Sequence, residues 1–190
     1  MRLSKPVDLN RISQALARGA CPICAFLKNE QSALLQGEIA PEQVTSLCNF
    51  HAWALAAAVN VENAARIFLN VLRHPAADSA PAAPQCSFCA QLLQQEVVEI
   101  KELLTQMKGG LVLDWMKQQG TLCRLHADHV RQLAPLKLHS TIDEIVERSA
   151  KTLEAELEAL LRRSAAGERT GGGMLGRAAE FLTAQRGVNR

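Results

Sequence analysis

Six cysteines and two histidines carry the only residue pattern in this chain that could do metal or redox chemistry. Cys21, Cys24, Cys48 and His51 read CxxC then CxxH, and Cys86, Cys89, Cys123 and His126 repeat the same order. The second member of each half is echoed closely, "SLCNFHA" at 46–52 against "TLCRLHA" at 121–127. No cysteine is left over, so the pattern is an internal repeat with four soft or borderline donors in each half.

Three thiolates and one imidazole form one of the standard closed sets for tetrahedral zinc. Each half is therefore expected to bind one metal, with CxxC on one arm of a helical hairpin, CxxH on the other, and the ion clamping the open end. Closure is feasible in the second half. A helix after Cys89 of about 18 residues climbs roughly 27 Å, and the segment from Gly110 to Cys123 can return that distance if part of it is extended. Zinc is favoured because Cys3His zinc is routine, whereas iron–sulfur clusters are usually held by cysteine alone. Two cluster sites in one small protein would suit electron transfer or redox sensing, which is the alternative.

Local placement supports ionised sulfur. Pro22 suits the first position of a helix, which puts Cys21 and Cys24 in a first turn. Ser46 and Thr121 are cap candidates two residues before Cys48 and Cys123. Unpaired backbone N–H groups and the positive end of the helix dipole favour thiolate there. Cys48, His51, Leu55 and Ala58 match Cys123, His126, Val130 and Leu133 in helical spacing, so the metals should lie at the rim of an apolar core. Trp53 and Trp115 are expected to join that core or cover the sites. His74, His129 and His139 lie outside the repeat and read as surface residues.

The elements that must position these donors read as helices, because no useful stretch alternates with period two. The expected class is all-α, two pseudo-repeated metal-clamped hairpins in one helical bundle with additional helices. Residues 1–73 form the first repeat, starting with a short helix from Asp8 to Arg18. Gly37 and Pro41 punctuate it. A helix then carries Leu47, Phe50 and Ala54 inward, and the next buries Val61, Ala65, Phe68 and Leu72.

Residues 74–85, rich in Pro and Ala, read as a linker. Residues 86–163 form the second repeat, with Leu93, Val97, Ile100, Leu104 and Met107 on one face of a long helix. "TIDE" at 141–144 resembles a capping box for a last long helix. Residues 164–190 read as a flexible basic tail with one short helix, "MLGRAAEFLTAQ".

Composition narrows the function. The chain has 190 residues, 21 basic and 19 acidic, for a formal charge of +2, which gives no electrostatic case for a dedicated nucleic-acid or membrane binder. No secretory signal or long apolar run is visible, and the default reading is a cytoplasmic protein whose thiols stay reduced. No nucleophile elbow, phosphate-cradling glycine loop or paired carboxylates appear. A closed four-ligand site leaves no position for substrate, which argues against hydrolytic metal catalysis and for a structural metal that supports binding to a protein partner. The oligomeric state is not readable from the sequence.

At these motifs the sequence resembles a bacterial family of helical proteins known only as a domain of unknown function. The resemblance is carried by residues 21–24, 46–52, 86–89 and 121–127, and more weakly by "GRAAEFL" near the end. It implies the two metal sites and brings no activity with them.

Overall fold

A computed structural model of the chain describes residues 12, 14, 20–58, 60–73, 86–168 and 173–184. Among these residues every regular element is helical and there is no strand, as the sequence predicts. The α-helices are α1 (Pro22–Ala33), α2 (Asn49–Ala56), α3 (Val61–Arg73), α4 (Ser87–Lys108), α5 (Leu111–Gln119), α6 (Arg124–Leu133), α7 (His139–Ala165) and α8 (Gly173–Thr183). Of the expected first helix only Ile12 and Gln14 are described, both helical. The expected linker at 74–85 lies outside the described residues.

The described residues group into two compact units, and neither is a sequence half. The larger takes those of Met1–Phe26 and Val98–Arg186, and the smaller those of Leu27–Val97. The division falls inside α1 and inside α4. In the larger unit α6, α7 and α8 pack on one another and α5 packs on α7. Its fully buried side chains include Ile100, Met107, Met116, Leu122, Val130, Ile142 and Ile145. In the smaller unit α3 packs against α2 and against the turns at 34–38 and 41–43, with Leu27, Leu55, Ile67, Phe88 and Leu92 buried. Burying each such side chain contributes about 1.5–3 kcal/mol.

Gly37 stops the first helical segment as expected, and its backbone requires glycine. It adopts φ 107°, where a side chain is strained, and an added Cβ would press on Asn60 and Asn63 at 3.3 Å. Asn60 closes the same turn by donating its side-chain amide to the Gln36 carbonyl at 3.3 Å.

Several expected faces are shifted. Helix α3 buries Ala64 and Ile67, while Val61 and Leu72 are 74% and 76% exposed. Helix α4 buries Ile100, Leu104 and Met107 as expected, but Leu92 and Leu103 are buried in place of Val97, which faces solvent. Trp53 is 74% exposed and cannot be core or cover, whereas Trp115 is half-buried. Leu133 is exposed as well. Helix α7 begins two residues before "TIDE", so Thr141 is not a cap but a buried residue inside the helix.

Candidate metal centres

All eight donors predicted from the sequence are brought together, in two groups of four. Cys21, Cys24, Cys123 and His126 form one in the larger unit, and Cys48, His51, Cys86 and Cys89 form the other in the smaller unit. The expectation that each half closes its own site is therefore corrected. Each group pairs the CxxC of one half with the CxxH of the other. The two CxxC segments are chemically equivalent and so are the two CxxH segments, hence ligand chemistry satisfies either pairing.

Backbone contacts select the exchanged one in the smaller unit. The Ser87 N–H donates to the Ser46 carbonyl at 3.0 Å, and the Ser87 hydroxyl accepts the Thr45 N–H at 3.1 Å. The residue after Cys86 thus ties down the chain just before Cys48. Phe88 adds to this, stacking on the His51 ring with centroids 5.3 Å apart. Pro22 holds the corresponding place in the first CxxC and has neither an N–H nor a hydroxyl to offer.

In the larger unit the chain ahead of Cys123 is held differently. Arg148 donates to the carbonyls of Met116, at 2.9 Å, Lys117 and Gly120 at the end of α5, where the Met116 carbonyl also accepts the Gly120 N–H at 3.0 Å. Gly120 packs so close to that end that an added Cβ would lie 2.6 Å from Met116 Cα.

A single local geometry underlies all four motifs. Cys48 and Cys123 are themselves the N-caps of α2 and α6, a correction to the expected caps Ser46 and Thr121, and Cys21 and Cys86 stand at the same place before α1 and α4. From each of these cysteines the carbonyl accepts the first intrahelical N–H, from Ala52, Ala127, Ala25 and Ala90, at 2.9 to 3.0 Å.

The second donor, His51, His126, Cys24 or Cys89, is then the third helical residue. In α6 the cysteine also acts as one half of a capping box, with sulfur in place of the cap oxygen. In α6 the Cys123 sulfur accepts the His126 N–H at 3.5 Å. The shared signal was present in the sequence as a fourfold pattern, Cys, any residue, apolar, Cys or His, then Ala. Each centre is thus made from two helix N-termini, whose partial positive charge favours anionic sulfur.

Donor spacing is tight and regular. His126 Nδ1 lies 3.6, 3.3 and 3.1 Å from the sulfurs of Cys21, Cys24 and Cys123, and the sulfurs of Cys24 and Cys123 are 3.7 Å apart. His51 Nδ1 lies 3.3, 3.5 and 3.4 Å from those of Cys48, Cys86 and Cys89, and the Cys48 and Cys89 sulfurs are 3.9 Å apart. Within each group all four donor atoms fall within 4.8 Å of one another. No disulfide is formed, and all the donors are buried except Cys48, which is half-buried.

Three sulfurs this close cannot all ionise without a cation. Burial opposes ionisation of Cys21, but hydrogen bonds from Cys123, Cys24 and His126 outweigh it and hold this thiol well below its ordinary value. Cys24 is pushed up, first by its hydrogen bonds with Cys123 and Cys21 and then by burial. Cys123 is pushed up as well, chiefly by its hydrogen bond with Cys21. One thiolate thus suppresses its two neighbours, and a divalent cation would release all three. In the other group burial opposes ionisation of Cys48, while the His51 backbone N–H and the Cys86 and Cys89 thiols bring it down. Burial lowers His51 to about 4, so its ring is neutral and ready to ligate.

Sequence reasoning missed Gln31. It is buried, and its side-chain amide meets His51 Nε2 at 3.4 Å. Ligation through Nδ1 leaves the ring proton on Nε2, and the Gln31 amide oxygen, interchangeable with its nitrogen by a half-turn, is the acceptor that proton needs. The signal was a polar residue on the apolar stripe Cys24, Leu27, Gln31, Leu34. Of the other histidines, His139 meets the Ala134 carbonyl at 3.3 Å, and neither it nor His129 belongs to either group.

Among the described residues no helix is long and apolar enough to cross a membrane. No family model, no curated protein and no solved structure matches this chain.

Proposed function

We propose that each group holds one zinc ion in a closed Cys3His site, and that the two ions fix a helical scaffold that binds a protein partner. The observation that carries this reading is the donor spacing. Zinc bonds of about 2.3 Å to sulfur and 2.0–2.1 Å to nitrogen give tetrahedron edges of about 3.8 Å between sulfurs and about 3.6 Å from sulfur to nitrogen. The Cys24–Cys123 and Cys48–Cys89 sulfur pairs stand at 3.7 and 3.9 Å, the sulfur–nitrogen pairs at 3.1 to 3.6 Å, and every donor pair within a group lies within 4.8 Å. Ligands of a multi-iron cluster bind different irons and must stand farther apart, so the spacing favours one ion per group over the iron–sulfur alternative.

With three thiolates, one imidazole and no open coordination position, the metal's role is structural. Zinc joins helix ends that burial alone would hold less firmly. The exposed apolar side chains of Trp53, Val61 and Leu72 in the smaller unit support a binding role. Six free cysteines suit a reducing compartment, the cytoplasm. The resemblance to the bacterial helical family forms part of the same reading, since it rests on these four motifs.

Anaerobic purification followed by metal analysis and a visible spectrum tests the metal. Two zinc ions per chain in a colourless sample is the expected result. Iron with acid-labile sulfide in a brown sample would overturn it and establish the redox alternative.

A further inference from the structure

The two centres differ in what surrounds them. A cavity of about 270 Å³ in the larger unit has Cys21 and Cys123 in its wall. Exposed residues on its rim, Gln118, Gln119 and Thr152, open it to solvent. Charged Arg148, Glu156, Arg177 and Glu180 line it together with Thr121 and the apolar Leu153 and Phe181. Cys21 and Cys123 are otherwise 5% and 1% exposed, so the cavity is their approach from outside. No donor of the Cys48 group lines it.

We propose that this cavity binds a small alkyl hydroperoxide and presents it to Cys21. The assignment rests on the zinc reading above. The mixed wall suits a molecule with a polar head and a short alkyl body, and the volume is below that of a typical drug-sized pocket, about 300–1,000 Å³. What favours a hydroperoxide over other electrophiles is the company of the attacking sulfur. Cys24 and Cys123 both lie within 4.8 Å of it, and a thiolate beside a resolving thiolate is the arrangement that peroxide oxidation uses.

The chemistry balances with the hydroperoxide as the oxidant. The Cys21 thiolate attacks the terminal peroxide oxygen, an S–O bond forms, the O–O bond breaks, and the alkoxide leaves as the alcohol after taking a proton from solvent. Cys24 or Cys123 then attacks the sulfenic sulfur. An S–S bond forms, the S–O bond breaks, and the oxygen leaves as water with protons from solvent. Two electrons have passed from two sulfurs to the peroxide. The zinc ion loses two of four ligands and dissociates, loosening the larger unit.

The test fills the cavity without touching a ligand. Zinc-loaded wild-type protein and the variants Thr152→Trp and Gln119→Trp, on different parts of the rim, are treated with tert-butyl hydroperoxide. Zinc release is followed with a chromogenic chelator and disulfides are located by peptide mapping. The wild type should form a disulfide joining Cys21 to Cys24 or Cys123, and both variants should do so several-fold more slowly. Oxidation of the Cys48 group, which is reached through half-exposed Cys48, should be unchanged and serves as the internal control.

Equal rates at Cys21 in the wild type and in a filled variant that keeps its zinc would overturn the proposal alone, leaving the metal reading intact. Two rim positions guard against one variant that misfolds. Wild-type protein that carries no stoichiometric zinc before oxidant is added would overturn both.

Discussion

The sulfurs of Cys24 and Cys123, 99 positions apart in the chain, lie 3.7 Å from each other. Cys24 belongs to the first CxxC and Cys123 to the second CxxH, so this contact crosses the internal repeat. The same exchange places His51 against Phe88 and ties Ser46 to Ser87. Each half supplies both centres, and loss of a motif in one half is felt together with its partner motif in the other.

Ser87→Ala should weaken only the Cys48 group. The variant keeps the Ser87 N–H bond to Ser46 but loses the hydroxyl that accepts the Thr45 N–H. A lost hydrogen bond of this kind costs about 0.5–1.5 kcal/mol. Competition with a zinc chelator should show weaker retention of one ion, with the other unaffected.

Gln31→Leu removes the acceptor for the outer nitrogen of His51 while keeping the apolar stripe of α1. Loss of such a partner to a ligating histidine typically lowers metal affinity about 10–100-fold. Zinc titration should resolve one weakened site, in the smaller unit. Unchanged affinity would remove Gln31 from the account of the centre.

Zinc binding should release protons at neutral pH. Cys24 and Cys123 are raised and hold their protons in the metal-free protein, and both must ionise to bind. Calorimetric titration in buffers of different ionisation enthalpy measures the number released, and acidification should drive zinc off. In the metal-free protein His51 adds a second dependence. Its value is lowered from 6.5 to about 4 by burial, so its contribution to stability is complete above pH 6.5 and is lost as the pH falls toward about 4. His51→Gln should flatten thermal stability over that window.

Gly120→Ala should destabilise the larger unit. The new Cβ would meet Met116 backbone atoms at 2.6 to 2.7 Å, and overpacking of this kind costs about 1–3 kcal/mol. Arg148→Met should act at the same place by removing the side-chain donor to the carbonyls of Met116, Lys117 and Gly120, of which Met116 keeps the Gly120 N–H. Thermal melts with near-additive losses would place the two effects in different contacts, whereas strong non-additivity would mark one shared structure at the end of α5.

The donors and the helical class were legible in the sequence because ligation demands particular residue types at fixed spacing, and spacing of three suits a helix. The pairing was not, since a CxxC accepts either CxxH. What distinguishes the pairings is Ser87 against Pro22, a difference in backbone and hydroxyl hydrogen bonding that motif matching passes over. The faces of α3 were misread for another reason. Val61 and Leu72 form one apolar row and Ala64 and Ile67 another, and only packing against α2 and the turns at 34–38 and 41–43 decides which is buried. Trp53 shows the limit of arguing from side-chain size alone.

The exchanged pairing is tested most directly by thiol footprinting of a single ligand variant. His126→Ala, loaded with zinc and exposed to limiting iodoacetamide, should lose one ion. Cys21 and Cys24 should become alkylated together with Cys123, while Cys86 and Cys89 stay protected as in the wild type. Exposure of Cys86 and Cys89 with protection of Cys21 and Cys24 would mean that each half closes its own site, and would contradict the account.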